Sequence, residues 1–279
     1  MSYVETPEGV RLRLCDRGRG GQTFVLVHGW KQSHRLFDPA IARLSERHRV
    51  VAFDHRGMGE SDKPGSRYDF DELAGDLGFV LDVLDLGDVT LVGWSMGCTV
   101  SLVYMSSGGA RVGRLVLMNG PLRLTPAPGF PYGLEPERID GYIDDLARTW
   151  PLNERAFAAE SLREPDAERV DWLVRIALQT QLDVALRLVR EQARLDLREV
   201  VKRLDVPVLA AYGRHEAWWP PGLADWIAEH APKGERTIFE QSAHCPPLEE
   251  AERFCAVLED FADRTTPSLT PIRQRKESP

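Results

Sequence analysis

Six short runs of aliphatic and β-branched residues decide what this chain can fold into. They are TFVLVHG (Thr23–Gly29), VVAFD (Val50–Asp54), VTLVGWS (Val89–Ser95), RLVLMNG (Arg114–Gly120), VPVLAAYG (Val206–Gly213) and RTIFEQS (Arg236–Ser242). Each is apolar continuously rather than at alternate positions, as strands covered on both faces are. Helical patterns separate them, over Pro39–Arg47, Phe70–Leu86, Met96–Ser107, Gly222–His230 and Leu248–Arg264. Strand–helix alternation of this kind predicts an α/β chain with a mostly parallel, doubly wound sheet.

One connection breaks the rhythm. Between Pro121 and Arg203 there is no strand run, only a Pro/Gly-rich stretch, PLRLTPAPGFPYGLEP, and then helical patterns. At roughly 80 residues this is far beyond the short loops that join such elements. It predicts a helical cap, residues 121–203, inserted into a core made of residues 1–120 and 204–264. The tail, residues 265–279, is rich in Pro, Ser and Thr and has no apolar pattern, so disorder is expected. MSYVETPEGV has no basic segment followed by an apolar one, and no apolar run approaches the roughly 18 residues that span a bilayer. The four cysteines, Cys15, Cys98, Cys245 and Cys255, lack metal-ligand spacing and read as free thiols. Together these features predict a cytoplasmic protein. A net charge of −8 offers nothing to neutralise phosphates or to dock on an anionic membrane, so neither nucleic acid nor membrane is expected as a partner. The expected partner is a small-molecule substrate, with the chain a monomer or homodimer. Arginine far outnumbers lysine, a codon signature of a GC-rich bacterial genome.

The third run ends on Gly93-Trp94-Ser95-Met96-Gly97, a G-x-S-x-G between a strand and a helical pattern. Glycines flank a serine in this way where a sharp strand-to-helix turn presents the hydroxyl, because a Cβ on either side would collide with the neighbouring backbone. A serine hydroxyl is a weak nucleophile at neutral pH and needs a base, itself oriented by a carboxylate. His244, in QSAHCPPLEE, follows the last strand run and falls at the carboxyl edge of the sheet, where sites form in open α/β folds. Glu216 stands just past the preceding run, and the order Ser95, Glu216, His244 suits a nucleophile, acid and base on this kind of sheet. Asn119 occupies the other strand end where an acid could stand, and it carries no charge. The backbone N–H groups of Met96 and of Trp30, after His28-Gly29, are the candidate donors to a developing oxyanion. Trp30, Trp94, Trp150, Trp172 and Trp218 are candidate substrate-binding walls. His28 reads as a structural residue, His34, His48 and His230 as solvated, and His215 as part of an orienting loop. The loop Asp54–Ser61 contains a G-x-G but leads into SDKPGSRYDF rather than a helix, so it fails the phosphate-binding fingerprint. No cofactor and no metal are expected.

Taken in order, VLVHGW, FDHRGMGESDKP, GWSMG, GRHEAWWPP and SAHCPPLEEAERF resemble the α/β-hydrolase superfamily, over about Val10–Tyr104, Arg114–Gly120 and Val206–Phe261. Within it the chain is similar to small bacterial carboxylesterases, lactonases and cofactor-free haloperoxidases. The resemblance implies the α/β-hydrolase fold, Ser95 as nucleophile, His244 as base, and Trp30 and Met96 as oxyanion donors. The acid is usually aspartate, so Glu216 departs from the common pattern. The expected activity is hydrolysis of a carboxylic ester, lactone or thioester through an acyl-enzyme. The alternative is non-hydrolytic or C–C-cleaving chemistry (perhydrolase, cofactor-independent oxygenase or biosynthetic rearrangement enzyme) in which the His/acid pair acts as base.

Overall fold

The computed structural model describes residues 2–65 and 68–265; most of the tail on which disorder is expected lies outside them. All six apolar runs form strands, and two more precede them. The strands are β1 (Ser2–Glu5), β2 (Arg11–Arg17), β3 (Thr23–Val27), β4 (Arg49–Phe53), β5 (Val89–Trp94), β6 (Val112–Met118), β7 (Val208–Gly213) and β8 (Gly234–Phe239). They make one sheet in the order β1-β2-β4-β3-β5-β6-β7-β8, antiparallel at the β1–β2–β4 edge and parallel elsewhere. The search for continuous apolar runs passes over β2 because RLRLCDR alternates, burying Leu12 and Leu14 while Arg11 is exposed.

Period-two alternation within the parallel strands builds two cores. Val25 and Val27 face one side, packed with Leu73, Leu77 and Ile227. Phe24 and Leu26 face the other, packed with Phe37, Ile41, Phe254 and Leu258. The helices that cover these faces are α1 (Asp38–Leu44), α2 (Phe70–Val83), α3 (Met96–Ser106), then, beyond the insertion, α9 (Gly222–His230), α10 (Pro246–Glu249) and α11 (Ala251–Thr265). The segment expected as one helix over Leu248–Arg264 is two, broken at Glu250, whose backbone is extended in φ at −130°.

Between β6 and β7 lie α4 (Pro136–Thr149), α5 (Glu154–Glu160), α6 (Ala167–Ala177), α7 (Leu182–Gln192) and the short α8 (Arg198–Val201), with no sheet strand among them. Their amphipathic patterns leave Ile139, Ile143, Leu146, Val170, Leu173, Val184 and Leu188 buried. Among the described residues no helix is long and apolar enough to cross a membrane, and all four cysteines are free.

Candidate active site

Ser95 sits between β5 and α3 with φ 55° and ψ −123°, a left-handed φ that a non-glycine residue holds only where its surroundings dictate it. The surroundings are close backbone. A Cβ on Gly97 would stand 2.2 Å from the carbonyl oxygen of Val27, and one on Gly93 would stand 2.6 Å from that of Gly97. The turn is pinned by the Ser95 N–H, which donates to Met118 O at 2.8 Å.

Three side chains meet at this turn. The Ser95 hydroxyl donates to His244 Nε2 at 3.0 Å, and His244 Nδ1–H donates to Glu216 Oε2 at 2.7 Å. The second bond fixes the tautomer, leaving Nε2 as the acceptor. Glu216 is fully buried at its side chain, and its other oxygen accepts the Trp218 N–H at 3.0 Å. The carboxylate is thus held by a backbone turn on one oxygen and by the imidazole on the other.

Met96 opens α3, so its N–H has no carbonyl one turn back within the helix. Gly29 lies across from it, where an added Cβ would come within 2.9 Å of the Ser95 Cβ. The loop carrying Gly29 and Trp30 is locked from beneath. His28 Nδ1–H donates to Gly29 O at 2.8 Å and its Nε2 accepts the His55 N–H at 3.0 Å. His55 Nε2–H in turn donates to His28 O at 3.2 Å. Both rings are wholly buried; burial pushes His28 down to about 4 and His55 well below its ordinary range, so both are neutral.

The site opens into a cavity of about 170 Å³ between the sheet edge and the insertion. Trp30, Trp94 and Trp218 line it, as does Trp219, which sequence reasoning did not single out. Trp150 and Trp172 do not. Trp172 is one position before Leu173, which does face the cavity, and the 100° step turns the indole toward the α5–α6 core instead. Trp150 follows the last turn of α4, where its ring lies 5.6 Å from the Lys31 ammonium. An aromatic wall runs from the insertion to His244: Phe157 stacks on Trp218 at 4.9 Å, and Trp218 meets the His244 ring edge-on at 4.6 Å. The Trp30 indole N–H donates to Ala185 O in α7 at 3.0 Å, so the same residue also ties the loop to the insertion.

Two residues hold His244 by its backbone. Trp94 Nε1–H donates to His244 O at 2.6 Å, and Asn119 Nδ2 donates to both Ala243 O and His244 O at 3.0 Å. Asn119 Oδ1 also accepts the Gly213 N–H at 2.9 Å, linking β7 to the histidine loop. It takes a left-handed φ of 46° just past β6, a conformation in which asparagine is enriched, so an asparagine at the end of a strand run was the one signal the sequence offered. The remaining histidines are structural rather than solvated. His34 is buried against Asp54 at 2.7 Å, His48 lies 3.2 Å from Glu259, and His230 stacks on Trp226. His215 is exposed and outside the cavity lining.

The alpha/beta hydrolase fold family model matches residues 22–251. The chain is 28% identical over 265 residues to the AB hydrolase superfamily protein YisY of Bacillus subtilis, covering 94% of this chain and 98% of that one. It is 30% identical over 249 residues to the pimeloyl-[acyl-carrier protein] methyl ester esterase of Vibrio cholerae, covering 88% of this chain and 95% of that one. Among solved structures, the esterase from Exiguobacterium antarcticum superposes with a TM-score of 0.88 at 27% identity, covering 94% of this chain and 99% of that one. With a match over most of its length and the sheet order described above, the chain belongs to the α/β-hydrolase fold family.

Proposed function

We propose that this protein is a serine hydrolase that cleaves a carboxylic ester, lactone or thioester of an uncharged small to medium organic molecule. The observation that carries the reading is the unbroken hydrogen-bond chain Glu216–His244–Ser95 at the floor of an aromatic cavity. The esterases named above, at 27% and 30% identity, support the reaction class.

In this mechanism the Ser95 oxygen attacks the carbonyl carbon while its proton passes to His244 Nε2. Glu216 holds the ring and stabilises the imidazolium that results. The N–H groups of Met96 and Trp30 receive the charge that develops on the carbonyl oxygen. His244 then returns the proton to the leaving alcohol, or thiol, giving an acyl-Ser95. Water, activated by the same imidazole, releases the acid and restores the serine. The helical insertion serves as a cap that closes the cavity and excludes bulk water. Its one deeply buried charge at the wall, Glu154, is neutralised by Lys31, which suits an uncharged substrate.

Turnover of p-nitrophenyl esters of short acids tests the proposal. Ser95→Ala and His244→Ala are each expected to lower kcat by about a thousandfold or more, as removal of either member of such a unit does. Substantial turnover by Ser95→Ala would favour instead a His/acid pair acting as base on the substrate itself.

A further inference from the structure

We infer that Glu249 is a positioning residue for His244, and that through Glu249 the helical insertion helps to hold the base; the inference rests on His244 being the general base. Three consecutive amides define the arrangement. The N–H groups of Ala243 and Cys245, on either side of the histidine, both donate to Glu249 Oε2, at 3.0 and 3.1 Å. The N–H of His244 itself points the other way and donates to Ser161 O at 3.1 Å, in the turn that closes α5. The second Glu249 oxygen, Oε1, accepts the N–H of Arg163 at 2.7 Å, from the same turn. The Arg163 guanidinium also bonds the Gln241 side chain, at the start of the histidine loop.

One carboxylate therefore joins the loop that carries the base to the segment that leaves α5. Burial raises the Glu249 carboxyl, while the three amide bonds and the nearby His244 lower it, so the carboxylate oxygens are met mainly by fixed backbone dipoles. On its other side the loop is held by Trp94 and Asn119 through the carbonyls of Ala243 and His244. The imidazole must meet partners at 2.7 and 3.0 Å at once, and a misplacement of about 1 Å costs about a hundredfold in rate. The same insertion supplies Phe157, Ala158 and Leu173 to the cavity wall. Lifting it off would thus open the cavity and release two of the bonds that fix the base.

The test compares Glu249→Ala and Glu249→Gln with the intact protein in kinetics, amide hydrogen exchange and NMR of the His244 ring. Glu249→Ala is expected to lower kcat by about 10- to 100-fold while KM moves by less than about threefold, since Glu249 does not line the cavity and the other insertion contacts, Lys31–Glu154 and Trp30–Ala185 among them, remain. The downfield Nδ1–H resonance of His244 broadens or disappears, and exchange at Ala243, Cys245 and Arg163 accelerates together. Glu249→Gln keeps one acceptor oxygen and recovers part of kcat. A Glu249→Ala protein with lowered thermal stability but kcat within about twofold of the parent would overturn the inference. So would unchanged exchange at Arg163, for the insertion's part in it. If the alanine variant does not fold, Glu249→Gln decides: kcat down at least about threefold at constant KM supports the role, and unchanged kcat overturns it. Failure of the underlying reading is separately visible, because His244→Ala would then retain activity.

Discussion

Ser95, Glu216 and His244 are legible in the sequence because each stands at the carboxyl end of an apolar run, and chain order alone brings those ends to one edge of a parallel sheet. Asn119 and Trp94 are harder to read. Their part in holding His244 depends on contacts across 125 and 150 residues that no local pattern announces. The glycines beside the serine read correctly as sites of backbone crowding, and Gly97 gives the sharpest test of it. In Gly97→Ala the new methyl would meet a backbone oxygen of β3 at 2.2 Å, and neither the strand nor α3 can retreat without breaking the sheet. The variant is expected to lose about 1–3 kcal/mol of stability in denaturant titration. A midpoint unchanged from the parent would mean that the turn is looser than described.

At the scale of elements, the missing strand pattern coincides with the stretch where α4–α8 lie between β6 and β7, while the contacts of those helices with the core go unread. One of them is a buried ion pair. Lys31, in the loop after β3, places its ammonium 2.5 Å from Glu154 at the start of α5, with side chains 0% and 1% exposed. The Trp30 and Phe157 rings lie 4.0 and 4.4 Å from that ammonium. Burial lowers the lysine to about 8, the Glu154 charge opposing the shift. A charge left alone in such a place is costly, whereas removing both charges is not. Lys31→Met or Glu154→Leu alone is expected to destabilise the protein by about 3–5 kcal/mol, and the double variant by clearly less than either. Urea unfolding of the four proteins measures this; single variants as mild as the double would show that the pair is not what joins loop to insertion. The tryptophans show the same limit of sequence reading. Trp150 and Trp172 sit on the insertion yet miss the cavity: helical phase decides which side of α6 faces Ser95, and Trp150 lies past the end of α4, where the chain has left the helix.

For the whole molecule, the parallel core and its order follow from continuous apolar runs. The antiparallel edge formed by β1 and β2 escapes because a half-exposed strand spends only alternate residues on the core. Its pH response is set by residues buried beneath the Gly29–Trp30 loop. His28, at about 4, and His55, also depressed, are neutral in the fold but take up protons once unfolded, where histidine titrates near 6.5. Between those values the unfolded chain binds more protons, so stability is full above about pH 6.5 and falls as pH drops toward 4, by up to about 1.4 kcal/mol per pH unit for each ring. Asp54, held low beside His34, adds to the loss at the acid end, and Glu249, raised by burial, opposes it in part. Unfolding free energies measured from pH 7 to 4 should therefore decline; a flat profile would remove the neutral His28–His55 pair as the support of that loop.

The measurement that bears most directly on the central claim is acid quenching of the protein within milliseconds of mixing with a p-nitrophenyl ester, followed by mass spectrometry of its peptides. The account predicts an added acyl mass on the peptide that contains Ser95, formed in step with a burst of nitrophenol and absent in Ser95→Ala. Steady turnover with no acylated Ser95 peptide at any quench time, and with Ser95→Ala equally active, would contradict it.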